Sequence, residues 1–167
     1  MTLRAAREAD GPAIGAIKVE TWRLAYAGLL SPVFLAGLDV AQESAEWGAY
    51  ARRPPDGHRL IVACVGDEVI GYGRSEPCPD DDARGAGEVA GLYVRPADQG
   101  RGAGGAMLAW LVDDLLARGL DPVVLWYFAG NDRAAAVYAA AGFVLDGARR
   151  PVPGLDIDEV RVRLGGR

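Results

Sequence analysis

The stretch Gln99-Gly100-Arg101-Gly102-Ala103-Gly104 constrains this chain more than any other, because it separates a strand-like run, Val89 to Val94, from a helix-like run starting near Gly105. A glycine-rich turn from strand into helix aims several backbone N–H groups at one point, and the helix dipole adds roughly half an elementary positive charge there. A Cβ would crowd a close-approaching phosphate and would resist the positive φ that such turns often need. The stretch reads as a cradle for a phosphate or pyrophosphate.

Two phosphate motifs can be tested against it. The Walker pattern requires Lys-Ser or Lys-Thr after its last glycine, and here Gly104 is followed by Gly105-Ala106. The dinucleotide fingerprint requires an acid about twenty residues further on, at the end of a second strand. Asp121 has the distance but stands in a turn before Pro122. The letters of Arg101 to Gly104 recur in Arg84-Gly85-Ala86-Gly87, which opens no helix and reads as a loop.

With 167 residues, half of them apolar and a quarter charged, the chain suits one ordinary domain over residues 1–167 with its own core. It contains no apolar run of membrane-spanning length. The amino terminus, Met1 to Arg7, lacks the apolar core of a secretory signal, so a cytoplasmic location without a membrane partner is expected. A net charge of −5 argues against nucleic acid, which asks for a basic face. Of the two cysteines, Cys64 lies in an apolar run and Cys78 in a loop, which suggests neither a disulfide framework nor a metal site.

Along the chain, Leu3 to Ala5 can start a strand, and Asp10 can cap a helix carrying Ile14, Ile17, Trp22 and Leu24. Helical regions follow from Ser31 through Leu38 and from Val40 to Arg52. Arg59 to Val65 and Glu68 to Arg74 flank the turn pair Gly66-Asp67 and read as a hairpin. Glu76 to Gly87, with two prolines and three consecutive aspartates, reads as a surface loop. From Gly105 to Arg118 the apolar residues recur at helical spacing, and Gly119 suits the end of that helix. A strand from Pro122 to Phe128, a helix from Asn131 to Ala141, and strands Gly142 to Leu145 and Glu159 to Leu164 complete a mixed α/β order.

The glycine turn fills the pattern (Gln/Arg)-x-x-Gly-x-(Gly/Ala) through Gln99, Gly102 and Gly104. Downstream, Asn131-Asp132-Arg133-Ala134-Ala135-Ala136-Val137-Tyr138-Ala139-Ala140-Ala141-Gly142-Phe143 fills Asn-x-x-Ala-x-x-x-Tyr-x-x-x-Gly-Phe. In both motifs, and in Leu92-Tyr93-Val94-Arg95-Pro96 as a strand exit, the chain resembles the GNAT superfamily of acyl-CoA-dependent N-acyltransferases. The resemblance implies a central mixed, mostly antiparallel sheet with helices on both faces. It implies acetyl-CoA as cofactor, no metal, and direct attack by an amine in a ternary complex without a covalent intermediate.

Residue by residue, the backbone of Gly100, Arg101, Gly102, Ala103, Gly104 and Gly105 would hold the CoA pyrophosphate. Main-chain atoms of Leu92, Tyr93 and Val94 would line the pantetheine arm, which Asn131 would also contact. Tyr138 would protonate the leaving thiolate, and Glu88 would serve as general base. A rival reading is a non-catalytic acyl-CoA-binding module, and a second is a nucleotide-binding protein using the same glycine turn.

The acceptor, a small-molecule or peptide amine, is less defined, and a homodimer is allowed for. Trp22 and Tyr26, one helical turn apart, could wall an amine pocket or sit in the core. Trp126 and Tyr127 are candidates because their strand would splay from its neighbour. Asp80-Asp81-Asp82 reads first as a solvated loop and second as an attractor of a polyamine, an aminoglycoside or a basic peptide end. His58, in a Pro-Gly turn, is expected on the surface.

Overall fold

The computed structural model describes residues 1–164. A single sheet runs in the order β1-β2-β3-β4-β5-β7-β6, built from β1 (Thr2–Ala5), β2 (Arg59–Val65), β3 (Glu68–Pro77), β4 (Gly87–Val94), β5 (Val123–Phe128), β6 (Phe143–Pro151) and β7 (Asp158–Leu164). All neighbours pair antiparallel except β4 and β5, which are parallel. The helices are α1 (Gly11–Ala25), α2 (Pro32–Ala36), α3 (Val40–Arg52), α4 (Ala103–Ala117) and α5 (Asp132–Ala140). Among the described residues, no helix is long and apolar enough to cross a membrane.

The apolar stripe of α4 explains where the core lies. Met107, Leu108, Leu111, Val112 and Leu115 are all buried, and they meet Ile61, Ile70, Val89, Val123, Leu125 and Val162 on one face of the sheet. The helix approaches closely because β3 and β4 offer glycine beneath it. A Cβ on Gly73 would stand 2.8 Å from Leu111 Cδ1, and one on Gly87 would stand 2.7 Å from Leu115 Cδ2. The opposite face is covered by α1 and α3, where Ile14 and Ile17 pack on Leu60, Val62 and Tyr72. Burying a Leu or Ile side chain contributes about 1.5–3 kcal/mol, so these two layers supply most of the apolar stabilisation.

Three details depart from the sequence reading. Asp10 precedes α1 but its carboxylate does not cap it. It takes both Arg4 guanidinium nitrogens, at 2.7 and 2.8 Å, and the Arg7 N–H at 2.7 Å. A charged partner outbids the helix amides because a charge-assisted bidentate pair is the stronger bond. The strand expected over Gly142 to Leu145 continues to Pro151. Asp146-Gly147 resembles a terminating turn, but Gly147 at φ +91° and an Asp146 side chain accepting from the Ala148 N–H form an irregularity that β6 passes through. The loop expected from Glu76 also begins later, since Glu76 and Pro77 still pair with Glu88 and Gly87.

Candidate active site

Parallel pairing between β4 and β5 is confined to Gly87–Val123 and Glu88–Val124. Beyond it the strands part, and Ala90 is an extra residue on β4, since Arg74 faces Gly91 while Ser75 faces Val89. The edge of β4 from Val89 onward is thereby freed from strand pairing on that side. A cleft of about 580 Å³ opens between β4 and β5, and it runs from the glycine turn past α5 to α1 and the β6–β7 turn.

At one end the wall is main chain. Gly102 takes φ +88° as the residue ahead of α4, and Gly100 takes +78°. The first backbone bond of the helix joins the Ala106 N–H to the Gly102 carbonyl at 3.0 Å. The amides before it are the free donors that every helix start leaves. A Cβ on Gly100, Gly102 or Gly105 would meet nothing within 4 Å, so the space in front of the turn is open. Gln99 braces the turn, its Nε2 donating to the Val94 carbonyl at 2.8 Å. Asp98 braces the approach by holding Arg95 and Arg101.

Of the residues that the sequence pointed to, Leu92, Tyr93, Val94, Gln99, Gly100, Gly102, Ala103, Gly104 and Gly105 all line this cleft. Asn131 lines it too, while its Oδ1 caps α5 by accepting the Ala134 N–H at 3.1 Å. Tyr138 lies two turns further along α5, against Tyr127 at 5.9 Å between ring centroids, and also borders the cleft. Burial pushes its phenol above the usual tyrosine range, so it remains a proton donor.

Two expected residues do not reach the wall. The Arg101 side chain is 72% exposed and turns to Asp98. Glu88 is 6% exposed and sits among the residues behind the cleft, opposite Glu76 on β3. Burial first, and then the neighbouring Glu76 charge, push its carboxyl up to about 7. Its Oε2 is buried without a hydrogen-bond partner.

At the other end the wall is side chain. Trp22, Tyr26 and Phe128 form an aromatic corner, with Trp22–Tyr26 at 5.1 Å and Tyr26–Phe128 at 4.7 Å between centroids. Val152 and Leu155, from the turn between β6 and β7, pack on this corner. Glu159 enters from β7 opposite Phe128, and its Oε2 accepts from Arg150 Nε at 2.9 Å. Sequence reasoning missed Phe128, Val152, Leu155 and Glu159. The apolar spacing Val152, Leu155, Ile157 inside a Pro-Gly turn was the available signal.

The acid run is solvated at Asp81 and Asp82, as expected of a loop, but Asp80 is largely buried and Asp80 and Asp82 are both ion-paired. Arg161 is 6% exposed and binds Asp82 bidentately at 2.7 and 2.8 Å, Asp80 at 3.0 Å and Asp146 at 2.7 Å. Asp80 also accepts from Trp126 Nε1 at 2.9 Å and from Arg150 at 3.3 Å. Trp126 lines the cleft with both guanidinium groups over its ring, Arg150 at 4.1 Å and Arg161 at 5.3 Å. Asp81 stays in solvent at 97% side-chain exposure, and Asp82 remains 64% exposed while it pairs with Arg161. His58 is also less free than expected: its Nδ1 lies 2.7 Å from the Tyr50 hydroxyl and 3.1 Å from Glu76.

Cys78, Asp80 and Glu88 hold ligand-type atoms within 4.8 Å of one another. Both Asp80 oxygens are already engaged by guanidinium groups, which set positive charge beside any cation there. The geometry therefore favours an ion-paired cluster over a metal centre.

Known proteins resemble this chain in sequence and fold. The model of the acetyltransferase (GNAT) family matches residues 24–143. A mycothiol acetyltransferase of Nocardioides is 37% identical over 98 residues, which make up 53% of this chain and 33% of the relative. The chain thus spans about a third of the length of that relative. The ribosomal-protein-alanine N-acetyltransferase of Brucella melitensis superposes with a TM-score of 0.74 at 26% identity, covering 98% of each chain. The PaiA N-acetyltransferase of Thermoplasma acidophilum, solved with coenzyme A, gives 0.75 at 14% identity over 97% of this chain and 98% of its own.

Proposed function

The chain belongs to the acetyltransferase (GNAT) family, and we propose that it moves an acetyl group from acetyl-CoA to a primary amine by direct attack in a ternary complex. The observation that carries this is the parting of β4 from β5 beside the unpaired first turn of α4. The turn suits a pyrophosphate, and the freed edge of β4 suits an extended amide-bearing arm. The Thermoplasma neighbour, which shares the fold, was solved with coenzyme A. Residues 1–167 act as one domain in this proposal.

The amine nitrogen attacks the thioester carbonyl carbon, and the carbon–sulfur bond breaks as the amide forms. Main-chain N–H groups of β4 stabilise the developing oxyanion. Tyr138 gives its phenolic proton to the departing thiolate. Glu88, with its carboxyl raised to about 7, accepts the amine proton. Because Glu88 is buried behind the cleft wall, this step requires a water relay that extends past that wall and not direct contact.

Release of free thiol from acetyl-CoA, measured with and without a panel of primary amines, tests the reading. Amine-dependent release supports it, whereas tight binding of acetyl-CoA with no release on any amine leaves a non-catalytic binding module. Thermal stabilisation by ATP but not by CoA would replace it with nucleotide binding. Tyr138→Phe is expected to lower kcat by about 10- to 100-fold with the acetyl-CoA Kd nearly unchanged.

A further inference from the structure

The acid run at Asp80 to Asp82 is the sequence feature that suits a polycationic acceptor, and the fold withdraws it. Asp80 and Asp82 are spent on Arg161, with Arg150 added at Asp80, and none of the three aspartates lines the cleft. The acceptor end keeps one carboxylate, Glu159, and Arg150 partly neutralises it at 2.9 Å. Glu159 nevertheless stands beside the rings, in register with Phe128 on β5 and on the cleft wall that Trp22 and Tyr26 share.

The remainder of that end is ring and aliphatic surface. Trp22, Tyr26 and Phe128 enclose a corner, and Leu155 closes it. One partly neutralised carboxylate matches one ammonium. A second ammonium would leave water to face the Arg150 guanidinium and would find no free carboxylate, which is unfavourable for a charge. An apolar body, in contrast, would gain from burial against the rings.

We propose that the acceptor is a small monoamine with an aromatic or branched apolar body, drawn in through its ammonium by Glu159 and seated against Trp22, Tyr26 and Phe128. This rests on the acetyltransfer reading above. Glu159 acts in docking, before the amine loses its proton and attacks.

The test compares 2-phenylethylamine, spermidine and kanamycin as acceptors for the purified protein at saturating acetyl-CoA, with acetyl-CoA binding measured separately by calorimetry. The expected kcat/KM for 2-phenylethylamine is about 10-fold or more above the other two, the range one apolar pocket can discriminate. Glu159→Gln, which keeps the shape of the side chain, is expected to raise its KM about 10-fold with the acetyl-CoA Kd unchanged. Preference for spermidine or kanamycin overturns the proposal. An unchanged KM in Glu159→Gln does so too, as does failure to use any of the three amines while acetyl-CoA still binds. Loss of acetyl-CoA binding itself would remove the acetyltransfer reading, and this inference with it.

Discussion

At the α4 end of the cleft the wall is backbone: consecutive amides of Gly100 to Gly105, held by left-handed glycines and braced by Gln99 and Asp98. At the opposite end it is side chain, assembled from α1, β5, β7 and the β6–β7 turn and secured by Arg161 against three aspartates. Backbone recognition is local, because contiguous residues make the whole surface and any departure from glycine shows in the sequence. Side-chain recognition is distributed over segments more than a hundred residues apart, such as Trp22 and Glu159. The backbone end can therefore stay constant while the side-chain end is rebuilt by changing a few dispersed residues.

The largest effect is expected from breaking the backbone end. Gly102→Glu puts a Cβ at φ +88° and a negative charge where the proposed pyrophosphate lies. CoA affinity measured by calorimetry should fall by about 1,000-fold, the value of roughly 4 kcal/mol. Unchanged affinity would show that the turn is not the cofactor cradle.

Breaking the side-chain end should act on stability first. Arg161→Ala removes the cation from Asp80, Asp82 and Asp146 and leaves the two that are largely buried without their principal partner. A loss of about 3 kcal/mol is expected from such an uncompensated cluster, read as a lowered midpoint in denaturant. CoA affinity should change little, since no atom of the glycine turn depends on Arg161. A parallel loss at both ends would dissolve the distinction between them.

Glu88 lies behind the cleft near its middle and gives the smallest and most specific prediction. Its carboxyl is raised in the folded protein, so the folded state binds the proton more tightly than the unfolded chain does. Stability contributed by the neutral form is complete at low pH and declines as pH rises through the acidic range to about 7. Glu88→Gln should therefore melt higher than the parent at pH 8, by on the order of 2 kcal/mol, and differ little at pH 4.5. In the proposed mechanism the ionised form is the working base, so kcat/KM should climb through about 7 in the parent and lose that limb in the variant. A variant with the same pH profile as the parent would remove Glu88 from the reaction.

Much of the fold was legible because its elements carry strong local signals. The α4 stripe of Met107, Leu108, Leu111, Val112 and Leu115 specifies a helix with one buried face, and the hairpin around Gly66-Asp67 specifies an antiparallel pair. The end of β6 was not legible, since Asp146-Gly147 has the composition of a turn and only pairing with β7 carries the strand through it. Asp10 was misread for a related reason: its capping role is local, whereas its Arg4 partner is brought close by folding.

The sequence by itself determined that a glycine turn opens a helix after a strand, and that Asn131 and Tyr138 share a helix behind it. Contiguous spacing is enough for that, because backbone amides and helical periodicity are properties of neighbouring residues. Tertiary structure decided that β4 and β5 part just after Glu88, that Arg161 engages Asp80 and Asp82, and that Glu159 is the carboxylate left at the aromatic end of the cleft. Those outcomes depend on which distant side chains neutralise one another first, and charge pairing across the sheet is settled only when the strands are in register.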